Sequence, residues 1–168
     1  MYRPIVPVSG LQGWQFLKRT MPQQSRVFEN SREIQREEKY FRENISKIRS
    51  ADDLLGDRRL LRVALAAFGL EEEASKTFFL RRILTDDISS TDALANKLLD
   101  KRFLELSKAF GFAGNSTGNT ARAGFVDSIA TKFRTRSFEV AVGDVDNDMR
   151  LAMTFAREIG ALAQGASE

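Results

Sequence analysis

Apolar positions recur along most of the chain at helical spacing rather than in alternation, and the breaks between periodic stretches fall on glycine, proline or capping side chains. Leu61, Ala64, Leu65 and Phe68 follow i, i+3, i+4, i+7 and predict a helix over Arg58–Phe68. Gly69 then suits the positive φ of a helix end, with Leu70 placed to pack back on the last turn. Ser50 and Asp53 form a capping box for a short helix carrying Leu54 and Leu55. Further helices are expected over 72–84, with Phe78, Phe79, Ile83 and Leu84 inward, and from Thr91 or Asp92, with Leu94, Leu98 and Leu99. Others are expected over 101–110 and over 122–141, the latter carrying Phe125, Ile129, Phe133 and Val140. Asp144 is placed to cap a last helix that uses Val145, Met149, Ala152, Met153, Ala156, Ile159 and Ala163.

The beginning of the chain reads differently. Pro4 and Pro7 restrict φ and bias their predecessors away from the helix, so residues 1–11 are expected to be extended, with a trace of strand alternation over 3–8. Gly10 and Gly13 bracket a turn, a short helix is expected over 12–20, and Pro22 suits the first turn of another short piece. Asn30 and Glu33 form a second capping box, opening a long polar helix over 31–49. Its apolar positions Ile34, Phe41 and Ile48 are seven apart, with Val27 one heptad upstream. A stripe this narrow on a helix crowded with charge fits a docking seam better than a core face. Trp14 lies outside any long helix and is either a lid on the helical core or an anchor into a partner. The candidate partner-binding residues are therefore Trp14, Val27, Ile34, Phe41 and Ile48.

Two segments echo each other. Asp57-Arg58-Arg59-Leu60-Leu61 is followed 43 residues later by Asp100-Lys101-Arg102-Phe103-Leu104, and Ala67-Phe68-Gly69-Leu70 is followed 42 residues later by Ala109-Phe110-Gly111-Phe112. The pattern predicts a duplicated helical hairpin with units at about 50–70 and 91–112; the alternative is two helices that share good stop signals. Glycines 111, 114, 118 and 124, with Asn115, Ser116, Thr117, Asn119 and Thr120 among them, predict the one real loop, from which Thr120 or a neighbour caps the next helix. The expected fold is all-α, about six to eight helices, with an N-terminal arm and short helix over 1–29 and a single helical domain over 30–168.

Composition narrows the chemistry. Among 168 residues there is no cysteine and no histidine. Cys/His zinc sites, Ser-His-Asp triads and thiolate chemistry are thereby excluded, as is any side chain whose ordinary pKa lies near 7. Asp144, Asp146 and Asp148 have the opening spacing of a calcium loop, but Met149 and Phe155 stand where glycine and glutamate are needed. Asp52/Asp53 and Asp86/Asp87 are adjacent pairs, poorly placed to work together on one substrate. The glycine-rich loop lacks the Gly-Lys-Ser/Thr of a phosphate cradle. No catalytic, cofactor or metal residue is assigned. Arg58, Arg59 and Arg102 are the candidates for an arginine-lined pocket, the enzyme or nucleotide-binding alternative. The net charge of +3 is uneven but mild, with ten basic and five acidic groups in residues 1–50 against seven and ten in 51–100, and without a concentrated basic face a nucleic-acid partner is not expected. The strongest apolar run, 63–70, is far short of the ~20 residues of a membrane helix. Membrane insertion is not expected, and the default location is the cytoplasm.

Several stretches carry a resemblance over nearly the whole chain. They are Pro4-Ile5-Val6-Pro7-Val8-Ser9-Gly10, Gly13-Trp14-Gln15-Phe16-Leu17-Lys18-Arg19-Thr20, Tyr40-Phe41-Arg42-Glu43-Asn44-Ile45, the repeat segments above, and Phe138-Glu139-Val140-Ala141-Val142-Gly143. The chain resembles an uncharacterised alphaproteobacterial family, a domain of unknown function whose members are often found near flagellar and motility genes. The resemblance implies a non-catalytic interaction or assembly protein with protein partners, flagellar components or a second copy among them, and it leaves open export by a signal-less flagellar route. Members continue through a polar linker and a Pro-Pro segment, which implies that this chain, ending at Ala166-Ser167-Glu168, is truncated.

Overall fold

In a computed structural model of the chain, which describes residues 2–115 and 117–165, every regular element is a helix. The described residues hold nine α-helices and three single-turn 3-10 helices. That exceeds the six to eight expected because short pieces such as Ala51–Gly56 and Leu94–Lys97 stand as separate helices. No strand is present among the described residues, including 3–8. Ser116 and the terminal 166–168 lie outside the described residues. The chain divides into two compact units, one formed by its two ends, up to Gln35 and from Ser137, and the other by Arg36–Arg136.

In the first unit, α1 (Gly10–Glu29) is one continuous helix that contains Pro22, where the sequence suggested two short pieces. Pro22 forfeits a hydrogen bond at a cost of about 3 kcal/mol. Leu17 and Phe28, buried on either side of it, offset that cost. Asn30 does not open the next helix. It closes α1, its backbone N–H and its Nδ2 both donating to the Arg26 carbonyl, at 3.2 and 2.9 Å. The non-helical residues before α1 are tied to it by Gln24, which is buried. Its Oε1 accepts from the Ile5 N–H at 2.7 Å and its Nε2 donates to the Ile5 carbonyl at 3.0 Å. Gly13 is buried where the Val8 backbone passes, leaving no room for a side chain. The last helix, α9 (Asn147–Gly165), is capped by Asp146 rather than Asp144. Asp146 Oδ1 accepts from the N–H groups of Asp148 and Met149, and Oδ2 accepts from the Ser9 hydroxyl at 2.8 Å.

In the second unit, α4 (Arg58–Phe68) is the helix the periodicity predicts. Asp57 Oδ1 accepts from the N–H groups of Arg59 and Leu60, both at 3.0 Å, and opens it. Gly69 at φ 69° closes it, with the Leu70 N–H reaching back to the Leu65 carbonyl at 2.9 Å and Leu70 buried. α3 (Ala51–Gly56) has the expected cap: the Asp53 N–H donates to Ser50 Oγ, and the Asp53 carboxylate accepts from the Arg49 N–H. α7 (Arg102–Phe110) ends on Gly111 at φ 66°, followed by buried Phe112.

Four expectations differ here. The polar helix stops early: α2 (Arg32–Asn44) gives way to a 3-10 turn at Ile45–Lys47, the Asn44 Nδ2 turning back to the Tyr40 carbonyl, and Ile48 lies beyond the helix. α5 (Thr77–Thr85) begins after a 3-10 turn at Glu71–Glu73, and the resulting phase buries Leu80, Ile83 and Leu84 but leaves Phe78 exposed. α6 (Leu94–Lys97) is one turn long, so Leu99 falls outside it and faces solvent. Thr120 does not cap α8 (Phe125–Gly143). Its hydroxyl is buried and donates to the Ile48 carbonyl at 2.6 Å, and Asn119 bonds the Phe110 and Ala109 carbonyls, so the end of the glycine-rich loop is pinned.

Two predictions follow from this geometry. Gly69→Ala forces a side chain into the left-handed region and should lower unfolding stability by about 1 kcal/mol with helicity unchanged, read by thermal melts. The Arg49 N–H and Ser50 hydroxyl hold the Asp53 carboxyl below the usual range, the Arg102 guanidinium does so for Asp100, and the Ser9 hydroxyl and the Met149 and Asp148 N–H groups do so for Asp146. A carboxyl depressed in the folded state stabilises above its unfolded pKa of about 3.9, and that stability is lost as pH falls through the folded value. Denaturant midpoints should therefore fall below about pH 4, and Asp146→Asn should flatten that acid fall.

Candidate interaction surface

The five residues singled out from the sequence do not form one surface. Trp14 is half-buried and Val27 is 48% exposed. They are thirteen positions apart on α1, about 20 Å along the axis and about 140° apart in phase, so no single contact takes both. Ile34, Phe41 and Ile48 are buried, and Ile48 is off the helix altogether. The heptad spacing of this stripe is consumed by packing within the chain.

Buried carboxylates in this chain are paired with arginine. Glu38 on α2 is buried and doubly met, by Arg42 Nε at 2.9 Å and by Arg134 Nη1 at 2.9 and 3.1 Å. Arg42 extends the chain of charges to Asp127 at 2.7 Å. Beside it, Glu37 Oε1 accepts from Arg59 Nη2 at 3.3 Å, while Oε2 is buried without a hydrogen bond. Arg59 Cζ lies over the Tyr40 ring, 3.8 Å from its centroid, and the Tyr40 hydroxyl donates to Asp57 Oδ2 at 2.8 Å. That bond to Asp57 raises the Tyr40 pKa, so the phenol stays protonated at neutral pH and is a poor base. In the first unit, buried Glu139 accepts from Arg157 Nε at 2.8 Å. These pairs are closed on themselves. Arg102 is likewise committed, to Asp100 at 2.7 Å and to the Gly69 carbonyl, so Arg59 and Arg102 do not converge on a shared ligand position. Among the described residues no three acidic side chains gather as metal ligands.

The surface offers more than the polar interior. A shallow cleft of about 520 Å³ is lined by Glu73, Ser75, Lys76, Thr77, Phe78 and Phe79, with Phe78 at its rim. A smaller one of about 220 Å³ in the first unit runs between Tyr2, Ile5, Phe16, Gln24 and Val27. The largest apolar display is on α9. Leu151, Phe155, Ile159 and Leu162 are 49, 63, 64 and 74% exposed, and their i, i+4, i+8, i+11 spacing places them on one ridge. Met149 and Met153, on another face, hold the helix to its unit. Beyond Arg157 the helix loses that support, and every residue over 158–165 is exposed. Ile159 belongs to the apolar set expected for this helix, and helical spacing alone does not distinguish a face turned inward from one turned outward.

No helix among the described residues is long and apolar enough to cross a membrane. A family model described as a protein of unknown function (DUF1217) matches residues 67–167. A crystal structure of a protein from Agrobacterium tumefaciens is similar to this chain, with 31% sequence identity and a TM-score of 0.80, covering 94% of this chain and 70% of the other. No curated protein matches.

Removing a partner from a buried carboxylate is costly. Arg157→Met should destabilise the protein by about 3 kcal/mol by stranding Glu139, and the double change Glu139→Gln, Arg157→Met should recover part of that loss in urea titrations.

Proposed function

The chain belongs to the DUF1217 family, and from that membership together with the exposed ridge on α9 we propose that it is a non-catalytic helical interaction or assembly protein that works by receiving a helix from a protein partner. The observation that carries the reading is the ridge itself: four large apolar side chains in register on a helix that loses its own packing halfway along. Contiguous exposed apolar surface of this kind marks sites of association. Trp14 and Val27 keep accessible surface for accessory contacts, while Ile34, Phe41 and Ile48 serve from within.

The resemblance to proteins found near flagellar genes points this role toward flagellar components, in the cytoplasm or after signal-less export. The proposed duplication fits the same picture of a helical scaffold. Both α4 and α7 open on an aspartate that accepts the N–H two residues on, at 3.0 and 3.1 Å, and both close on a left-handed glycine followed by a buried apolar side chain.

The test is a binding assay against purified rod, hook and export components. The wild-type chain should retain at least one, and Phe155→Ser with Ile159→Ser should abolish retention while circular dichroism and the melting temperature stay unchanged. Retention of none, or retention unaffected by the double change, would refute the proposal.

A further inference from the structure

Resting on that reading of the α9 ridge, we infer that the helix it receives is α9 of a second copy of this chain, packed antiparallel across a two-fold axis near Ala156. The ridge reads nearly the same in both directions. Its spacing of four, four and three residues sets Leu151 opposite Leu162 and Phe155 opposite Ile159 when one helix is reversed on the other. An isologous contact requires that self-complementarity. One position on from each large residue stands a small one: Ala152, Ala156, Gly160 and Ala163 form a second line beside the first. Reversal also brings small against small, so the two backbones approach closely along that side while the large side chains fill the other.

Charge selects the direction. Asp144, Asp146 and Asp148 crowd the start of α9, and no basic residue lies in its last turn. A parallel pair would bring six carboxylates together at one end; the antiparallel pair separates them and opposes the helix dipoles favourably. Arg157 is turned to Glu139, so the charge that the pair must accommodate beside the ridge is exposed Glu158, three residues on from Phe155 and four before Leu162, which stays at the wet edge of the contact. The part of α9 beyond that ion pair has the greater need of cover. It is exposed on all sides, contains Gly160 and Gly165, and is too short to hold helical form by propensity alone. In the antiparallel pair it lies over the partner's supported first half. Covering the four large side chains and the small residues between them buries on the order of 1,000 Å² in total, the lower bound for a specific interface. The expected dimer is therefore one of micromolar affinity.

Because the chain has no cysteine, single introduced cysteines report the geometry directly. Sedimentation equilibrium of the full chain should show a concentration-dependent dimer, and Phe155→Ser, on the exposed face, should weaken it about tenfold or more without changing the melt. In Ala156→Cys a short bismaleimide should join two copies. In Gln164→Cys it should not, since the antiparallel partner position is about 20 Å away. Cross-linking at position 164 means a parallel pair and overturns the inference. So does a protein that stays monomeric at hundreds of micromolar, or a dimer indifferent to Phe155→Ser. The two readings fail separately: a monomer that still retains a flagellar component through the ridge sinks the self-association and leaves the interaction role standing.

Discussion

A carboxylate withdrawn from water is costly unless it is paired, and among the described residues Glu37, Glu38 and Glu139 are less than a tenth exposed. Each is met by arginine. With histidine and cysteine absent, arginine carries the buried ionic pairing, and the positions of several helices depend on it. α8 holds both kinds of partner, Arg134 for Glu38 within one unit and Glu139 for Arg157 within the other. The same arginines have few donors left for a ligand. Their donors are spent on carboxylates, backbone carbonyls and, for Arg59, the face of Tyr40.

What could be read from the sequence was local. α4 was legible because its periodicity, its aspartate cap and its closing glycine agree, and each acts within a few residues of itself. The same held for α3 and for the end of α7. α1 was not, because the penalty at Pro22 is local while the burial of Leu17 and Phe28 that outweighs it depends on residues far along the chain. Asn30 misled for a related reason: asparagine serves the end of one helix as readily as the start of another, and only the Arg26 carbonyl decides. Phe78 and Leu99 were misplaced by the phase and length of their short helices.

The interaction surface was illegible for a different reason. Burial in a core and burial against a partner demand the same apolar spacing, so periodicity reports that a face is to be covered without saying by what. The stripe of Val27, Ile34, Phe41 and Ile48 had the spacing of a seam, and three of its four members are packed inside. The ridge of α9 had the spacing of a core helix and lies outside. The distinguishing property is burial by neighbouring elements, and residues 158–165 of α9 are exposed.

The clamp between Gln24 and Ile5 has a consequence for solubility. A non-helical segment with apolar Ile5, Val6 and Val8 is the kind of exposed backbone on which strands of other molecules can add. Here the side-chain amide of Gln24 occupies both the donor and the acceptor of Ile5, as a neighbouring strand would, and Pro4 and Pro7 remove the donors beside it. The segment is left with no continuous ladder to offer, so a stretch suited by its apolar residues to templating a cross-β stack is closed by a single glutamine and two prolines.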